Sequence, residues 1–239
     1  MEIANRIMQY YYVHLKSFEL YSIDKMILEL KSKYLNIILI FLILSIVFSI
    51  ICYKQINAQN LKNEKIDLCC TWGSKLKDDV LTYNVEKGSK DLEKITDSAF
   101  SDWEKKLYSI HFKNIKDDNS IDIKVKFTKG EYNHVGQAEI YFDQKGFIDH
   151  VDISVSKTSN GTKLNQTLLE HIIKHEIGHA LGLGHSQFPH SLMYPIVDEV
   201  VTKISMCEID AVKNANNWKL NNNDKKPKML EQNIYQCTQ

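Results

Sequence analysis

Eleven consecutive residues, His175-Glu176-Ile177-Gly178-His179-Ala180-Leu181-Gly182-Leu183-Gly184-His185, constrain this 239-residue chain more than any other stretch. His175 and His179 stand four positions apart, so a helix through them projects both imidazoles from one face, one turn apart. Two neutral imidazole nitrogens so placed can share one zinc ion. Glu176 sits where its carboxylate reaches a water at the metal without binding the metal itself. Gly182, with no Cβ, can take a left-handed conformation, end the helix and turn the chain back. His185 then returns as a third ligand. Three histidines with an open fourth position form the catalytic arrangement of zinc, whereas closed four-ligand sites are structural.

This stretch resembles the metzincin zinc peptidases, whose pattern is His-Glu-x-x-His-x-x-Gly-x-x-His followed by a methionine turn. The turn is present as Ser191-Leu192-Met193-Tyr194-Pro195, with Met193 eight residues after His185. Ser186 directly after the third histidine, together with that turn, is most similar to the matrixin (matrix-metalloproteinase-like) branch. The resemblance implies an α+β catalytic domain with a twisted, mixed but mostly parallel sheet and three helices; the uncharged apolar run 35–53 adds one transmembrane helix before it. The resemblance also implies one catalytic Zn2+ held by His175, His179 and His185, with Glu176 as general base and acid and Met193 as an apolar floor beneath the metal. The reaction it implies is endopeptidase hydrolysis of a protein or peptide substrate. In the family an antiparallel edge strand lies above the cleft, which makes Gln137 to Phe142 the candidate edge and Gln137 and Ala138 candidate substrate contacts. In the family the segment after the Met-turn proline lines the pocket for the residue following the cleaved bond, and Tyr194 and Pro195 at that end of the turn are candidate substrate contacts. Matrixins often carry a tyrosine two residues after that proline, and here the residue is Val197.

Two other readings stay open: a catalytically silent extracellular binding module on the same scaffold, and an intracellular aminopeptidase-like relative. The latter carries cysteine pairs after the third histidine, which this chain lacks. Lys+Arg and Asp+Glu both count 30, giving zero formal net charge and no basic footprint for nucleic acid. His171 lies one turn before His175 and reads as a polar helix residue, since a fourth helix ligand would close the open site. His190 reads as a loop residue. His134 and His150 flank the edge strand where matrixins bind a second, structural zinc, but the glycine- and aspartate-rich loop between such ligands is absent, and further Zn2+ or Ca2+ has no pattern to support it.

Within residues 1–34, an N-terminal segment read as cytoplasmic, Ile23, Met26, Ile27 and Leu30 recur at helical spacing, and Met26 would open a more ordinary leader. Residues 35–53 carry no charge, and nineteen helical residues rise about 28 Å, close to a bilayer's hydrocarbon thickness. The segment reads as a signal anchor or a cleavable signal peptide; its length favours retention at the cell membrane, and cleavage would leave a secreted protein. Lys16, Lys25, Lys31 and Lys33 precede it and Lys54, Lys62 and Lys65 follow, which places the N-terminus inside and residues 54–239 outside. Residues 54–71 read as a linker, 72–218 as the peptidase domain and 219–239 as a flexible tail.

Inside the domain, Leu92, Ile95, Ala99, Trp103 and Leu107 predict an amphipathic helix over 90–108. Ile121, Ile123, Val125 and Phe127 alternate with charges, as in a half-buried strand, and residues 136–143 and 147–156 predict two more strands. Ser205-Met206-Cys207-Glu208 has the form of a capping box opening a helix through Trp218. Cys52 lies in the apolar segment. Cys69, Cys70, Cys207 and Cys237 are available for disulfides if the domain is exported, or are buried thiols if it is not. Because matrixins can dock the N-terminal segment near the start of the last helix, the resemblance implies a bridge from Cys69 or Cys70 to Cys207.

Overall fold

The computed structural model describes residues 34, 35, 37–54, 64–116, 120–129, 134–196, 203–221 and 226–237. It divides into two compact units, Met1–Gln59 and Asn60–Gln239. In the first, helix α1 (Ile37–Lys54) has a mean hydropathy of 2.7 and is long and apolar enough to cross a membrane. Its two serines bond back to their own helix, Ser45 Oγ to Leu42 O and Ser49 Oγ to Ser45 O, leaving no hydroxyl proton to satisfy from outside. The amphipathic helix expected within residues 1–34, and Val197, lie outside the described residues.

The second unit is built on a five-stranded sheet. Its strands are β2 (Val80–Glu86), β3 (His111–Asn114), β4 (Ile123–Thr128), β5 (Gly136–Phe142) and β6 (Ile148–Ser156), in the order β3-β2-β4-β6-β5. All pairings are parallel except β5 with β6, so β5 is an antiparallel edge, as the family resemblance implies. Helix α2 (Lys90–Leu107) begins at Ser89, whose side chain accepts from Leu92 N, and buries Ala99, Phe100, Trp103 and Leu107. A 3-10 turn, Ser74–Asp78, precedes β2. The hairpin β7 (Thr158–Ser159) and β8 (Thr162–Lys163) turns at Asn160-Gly161, both at positive φ as a type I′ turn requires. Then comes α3 (Gln166–Ala180), capped by Asn165, which sinks Leu169, Ile172, Ile173 and Ile177 into the core shared with α2 and the sheet.

After α3 the chain forms β9 (Leu183–Ser186), α4 (Met206–Ala215) and the short α5 (Asn217–Leu220). The capping box is formed: Ser205 caps α4 and Glu208 reaches back to the Ser205 backbone N–H. Two further strands correct the sequence reading. β1 (Lys65–Leu68) falls in the segment read as a linker, and β10 (Ile234–Gln236) in the segment read as a flexible tail. They form a separate sheet in the order β10-β1-β9. Each is only three or four residues long, too short for its alternation to stand out, yet Ile66 is fully buried and Leu68 nearly so.

The cysteine pairing also differs from the bridge implied by resemblance. Cys69 bonds to Cys70, and Cys207 to Cys237 across a separation of 30 residues. The expectation that the N-terminal segment approaches the start of α4 holds, but the opposite end of β1 makes the approach. Glu64, before β1, lies beside Cys207 and Cys237, whose Cα atoms are 5.3 Å apart. Cys69, beyond the far end of the strand, donates its N–H to Gly182 O at the end of α3. A bridge closing 30 residues constrains the unfolded chain by about 3–4 kcal/mol in the chain-entropy view.

Candidate active site

The last turns of α3 bring His175, Glu176 and His179 to one face, and His185 arrives on β9; the ligand atoms of the three histidines lie within 4.8 Å of one another. Gly182 makes the return possible. Its φ is +99°, and a Cβ there would run into the carbonyl of Cys70. Gly178 has a different reason to be small, because a Cβ would strike the Met193 sulfur that packs against that turn of α3. Met193 is fully buried, consistent with an apolar floor.

Two of the imidazoles are oriented by hydrogen bonds. His175 Nδ1 donates to Leu192 O at 2.7 Å and His179 Nδ1 donates to Leu183 O at 2.8 Å. A carbonyl can accept only from N–H, so both rings are fixed as Nδ1–H tautomers. Their two Nε2 atoms then face each other as bare lone pairs 3.1 Å apart. Burial pushes the His175 imidazole down to about 3, with His179 adding to it, and burial takes His179 down to about 4. Neither ring therefore relieves the opposition by taking a proton at neutral pH. A cation shared between them does, and the donor set, all imidazole nitrogen, suits zinc.

Glu176 is 4% exposed, and burial pushes its carboxyl up to about 8. It lies under the start of β5, where any Cβ on Gly136 would collide with its Oε1 and with Ile172. The cleft above measures about 680 Å³. Gln137, Ala138 and Pro195 line it with the three histidines and Glu176, whereas Tyr194 is not among its lining residues. Cys69 and Ile196, the residue after the Met-turn proline, also line it.

His134, His150, His171 and His190 do not join the three-histidine group, although His134 lines the same cleft. His171 lies on α3 outside the three-histidine cluster, and it is buried. His134 pairs with Gln137 Oε1 at 3.0 Å, and His150 sits 2.9 Å from Asp149 while stacking on Tyr141. His190 packs edge-on against Phe188.

Behind the three histidines lies a network the sequence announced only in part. The Glu208 carboxylate is fully buried; its Oε1 accepts from Ser191 Oγ at 2.7 Å and from Leu192 N at 2.9 Å, and its Oε2 accepts from Ser205 N and Ser205 Oγ. One carboxylate thus ties the start of α4 to the Met-turn, and Leu192 passes that restraint to His175 through its carbonyl. The capping-box spacing was the available signal; the additional bonds to the Met-turn were not legible. Asn216, also fully buried, donates to Leu181 O at 2.9 Å and accepts from Trp72 N at 3.0 Å, while Trp72 Nε1 donates to Ala180 O. These bonds fasten the end of α3 just before the Gly182 turn.

A helix-borne pair of histidines, a third on a returning strand, a methionine floor and an antiparallel edge strand over the cleft define a metzincin-type domain. The matrixin family pattern matches residues 71–217, and the chain belongs to that family. It is 27% identical over 146 residues to Metalloendoproteinase 1-MMP of Arabidopsis thaliana, covering 54% of this chain and 40% of that protein. It is 35% identical over 108 residues to the Hatching enzyme of Paracentrotus lividus, covering 41% of this chain and 17% of that protein. It is 29% identical over 139 residues to Matrilysin of Homo sapiens, covering 52% and 49%. The chain therefore spans less than half the length of each of these relatives.

Proposed function

We propose that the chain is a zinc-dependent endopeptidase, with His175, His179 and His185 as ligands and Glu176 as general base and then general acid. The observation that carries this reading is the pair of proton-free Nε2 atoms, 3.1 Å apart and held by Nδ1–carbonyl bonds, with a third imidazole converging on them. When bound, zinc supplies a Lewis acid that acidifies water and polarises a carbonyl. An extended peptide adds to the free edge of β5, its backbone satisfied by strand amides and carbonyls, with Gln137 and Ala138 beneath it. Glu176 takes the proton of the attacking water at its carboxylate and hands it to the departing amine. Its burial raises its affinity for that proton, and Ile172 and Gly136 packed against it limit its choice of position. Pro195 and Ile196 close the cleft on the Met-turn side. Incubating the full chain with zinc and an internally quenched peptide should yield two fragments cut at an internal bond, and a chelator should stop the cleavage. A silent binding module would hold zinc and leave the peptide whole.

We also propose that α1 anchors the chain in a membrane with residues 54–239 outside. The support is its length, its hydropathy and the Lys31 and Lys33 cluster just before it. Protease added to intact cells should remove a C-terminal epitope and spare an N-terminal one; protection of the C-terminal epitope contradicts the orientation.

A further inference from the structure

The three imidazoles converge on one point but are held there by different means. His175 and His179 ride on α3, and each has its Nδ1 on a carbonyl. Among the described residues, the ring of His185 makes no hydrogen bond, so its position is inherited from the backbone of β9. That backbone is irregular where it matters. The β1–β9 register shifts between Ile66↔Ser186 and Leu68↔Leu183, which leaves Gly184 and His185 within the shift. Gly184 is pressed so closely on β1 that a Cβ there would stand 2.8 Å from Asp67 Cβ. β9 is also held at its ends, by Ser186 N donating to Met193 O and by Leu183 O accepting from His179. Between those points its strand partner among the described residues is β1.

β1 is itself backed by β10 along its other edge, in the register Lys65↔Gln236, Ile66↔Tyr235 and Asp67↔Ile234. Leu68 N donates to Asn233 O at 2.8 Å, and Cys237 N donates to Glu64 O at 3.0 Å. A strand of three residues makes too few bonds to stay in place unaided. Here its end is bonded through Cys237 to Cys207, in the first turn of α4. β1, β10 and Cys237 all fall outside residues 71–217, the part matched by the family pattern.

We propose that β10, locked by the Cys207–Cys237 disulfide, is a belt that positions His185 through β1 and β9, and that the C-terminal segment thereby sets how tightly the site holds its metal. The proposal rests on the three-histidine zinc reading. His185 is the ligand and the belt residues are positioning residues; they act by restricting where the β9 backbone holds the imidazole. Removing such outer support from a metal site typically lowers affinity by about 10- to 100-fold.

The test uses the full chain in detergent micelles, with zinc affinity measured by competition against a chelating dye, so that no turnover is needed. Cys207→Ser/Cys237→Ser is compared with the parent chain, and the same pair is placed in a His185→Ala chain; Cys69–Cys70 is left intact throughout. The expected result is a drop of about 10- to 100-fold in the presence of His185. In its absence the drop should be less than about twofold, the limit for independent sites. An equal drop in both chains would mean general loosening and would overturn the proposal, as would no drop in either. If the double serine variant does not fold, Tyr235→Gly, which keeps the disulfide and loosens β10, goes through the same cycle with the same criteria. A parent chain that binds no zinc would sink the three-histidine reading and the belt with it. A parent that binds zinc while the cycle shows no coupling to His185 would sink the belt alone.

Discussion

The histidine-bearing helix and the strand that follows it deliver imidazoles to the same point on opposite physical terms. α3 is 15 residues long, capped by Asn165, and buried along most of its length, so His175, Glu176 and His179 are fixed relative to one another by one rigid body. β9 is four residues long, irregular, and exposed at His185. The helix needs few outside partners to hold its two imidazoles: one carbonyl from the Met-turn and one from β9. The strand needs a glycine at φ +99°, a close approach to β1, and a second strand behind β1. Local geometry suffices where a helix repeats it, and long-range contacts must supply it where the chain turns.

The largest expected effect falls on the helix side. Glu176→Ala removes a proton carrier and no ligand, so zinc should remain at one per chain while turnover of a peptide falls by about 10²- to 10⁴-fold. Near-normal turnover in that variant would remove Glu176 from its role. Next is the restraint that reaches α3 through the Met-turn. Glu208→Ala leaves Ser191 Oγ, Leu192 N and Ser205 N without their buried acceptor. It should cost about 3 kcal/mol of stability by denaturant titration, of the order expected for leaving buried donors unpaired. A cost under about 0.5 kcal/mol, the range of an ordinary surface change, would show that water replaces the carboxylate freely.

On the strand side the pH dependence is distinctive. Burial, then the neighbouring Glu208 charge, raises the Glu64 carboxyl from 4.5 to about 7. Between those values the folded state binds more protons than the unfolded state, so this group's contribution is fully present below 4.5 and is lost as pH rises through 7. Glu64→Gln should therefore flatten the fall in melting temperature between pH 5 and pH 8 and make the chain the more stable of the two at pH 8. The expected difference is at most about 3 kcal/mol. An unchanged pH profile would contradict it. Smaller again is Gly182→Ala, where a positive φ alone costs about 1–2 kcal/mol before the Cys70 carbonyl is met. Zinc affinity should fall with it, because the return of β9 is displaced; a variant as stable and as tight as the parent would mean the turn has room to relax.

Legibility divided along the same line. The helix histidines, the returning histidine, the methionine turn and the capping box each rest on spacings inside a short window, which survive folding unchanged, while the antiparallel edge came from the family resemblance. β1, β10 and the disulfides were not legible, since pairing residues 65–68 with residues 234–236 is decided by tertiary packing that no local period encodes. The Cys207 partner was misplaced for that reason: the segment that approaches α4 was identified, but not which end of it. Glu208 was half legible, as a cap and not as a Met-turn anchor, because its bonds to Ser191 and Leu192 span 16 and 17 residues. The burial of His171 follows from the breadth of the apolar face of α3, which extends past the hydrophobic residues themselves.

X-ray absorption at the zinc edge on the zinc-loaded full chain tests the central claim most directly. The account predicts three imidazole nitrogens at about 2.0–2.1 Å with an oxygen neighbour, falling to two imidazoles in His185→Ala. A sulfur shell at about 2.3 Å, which would bring in Cys69 from the cleft wall, or an imidazole count that His185→Ala leaves unchanged, would contradict it.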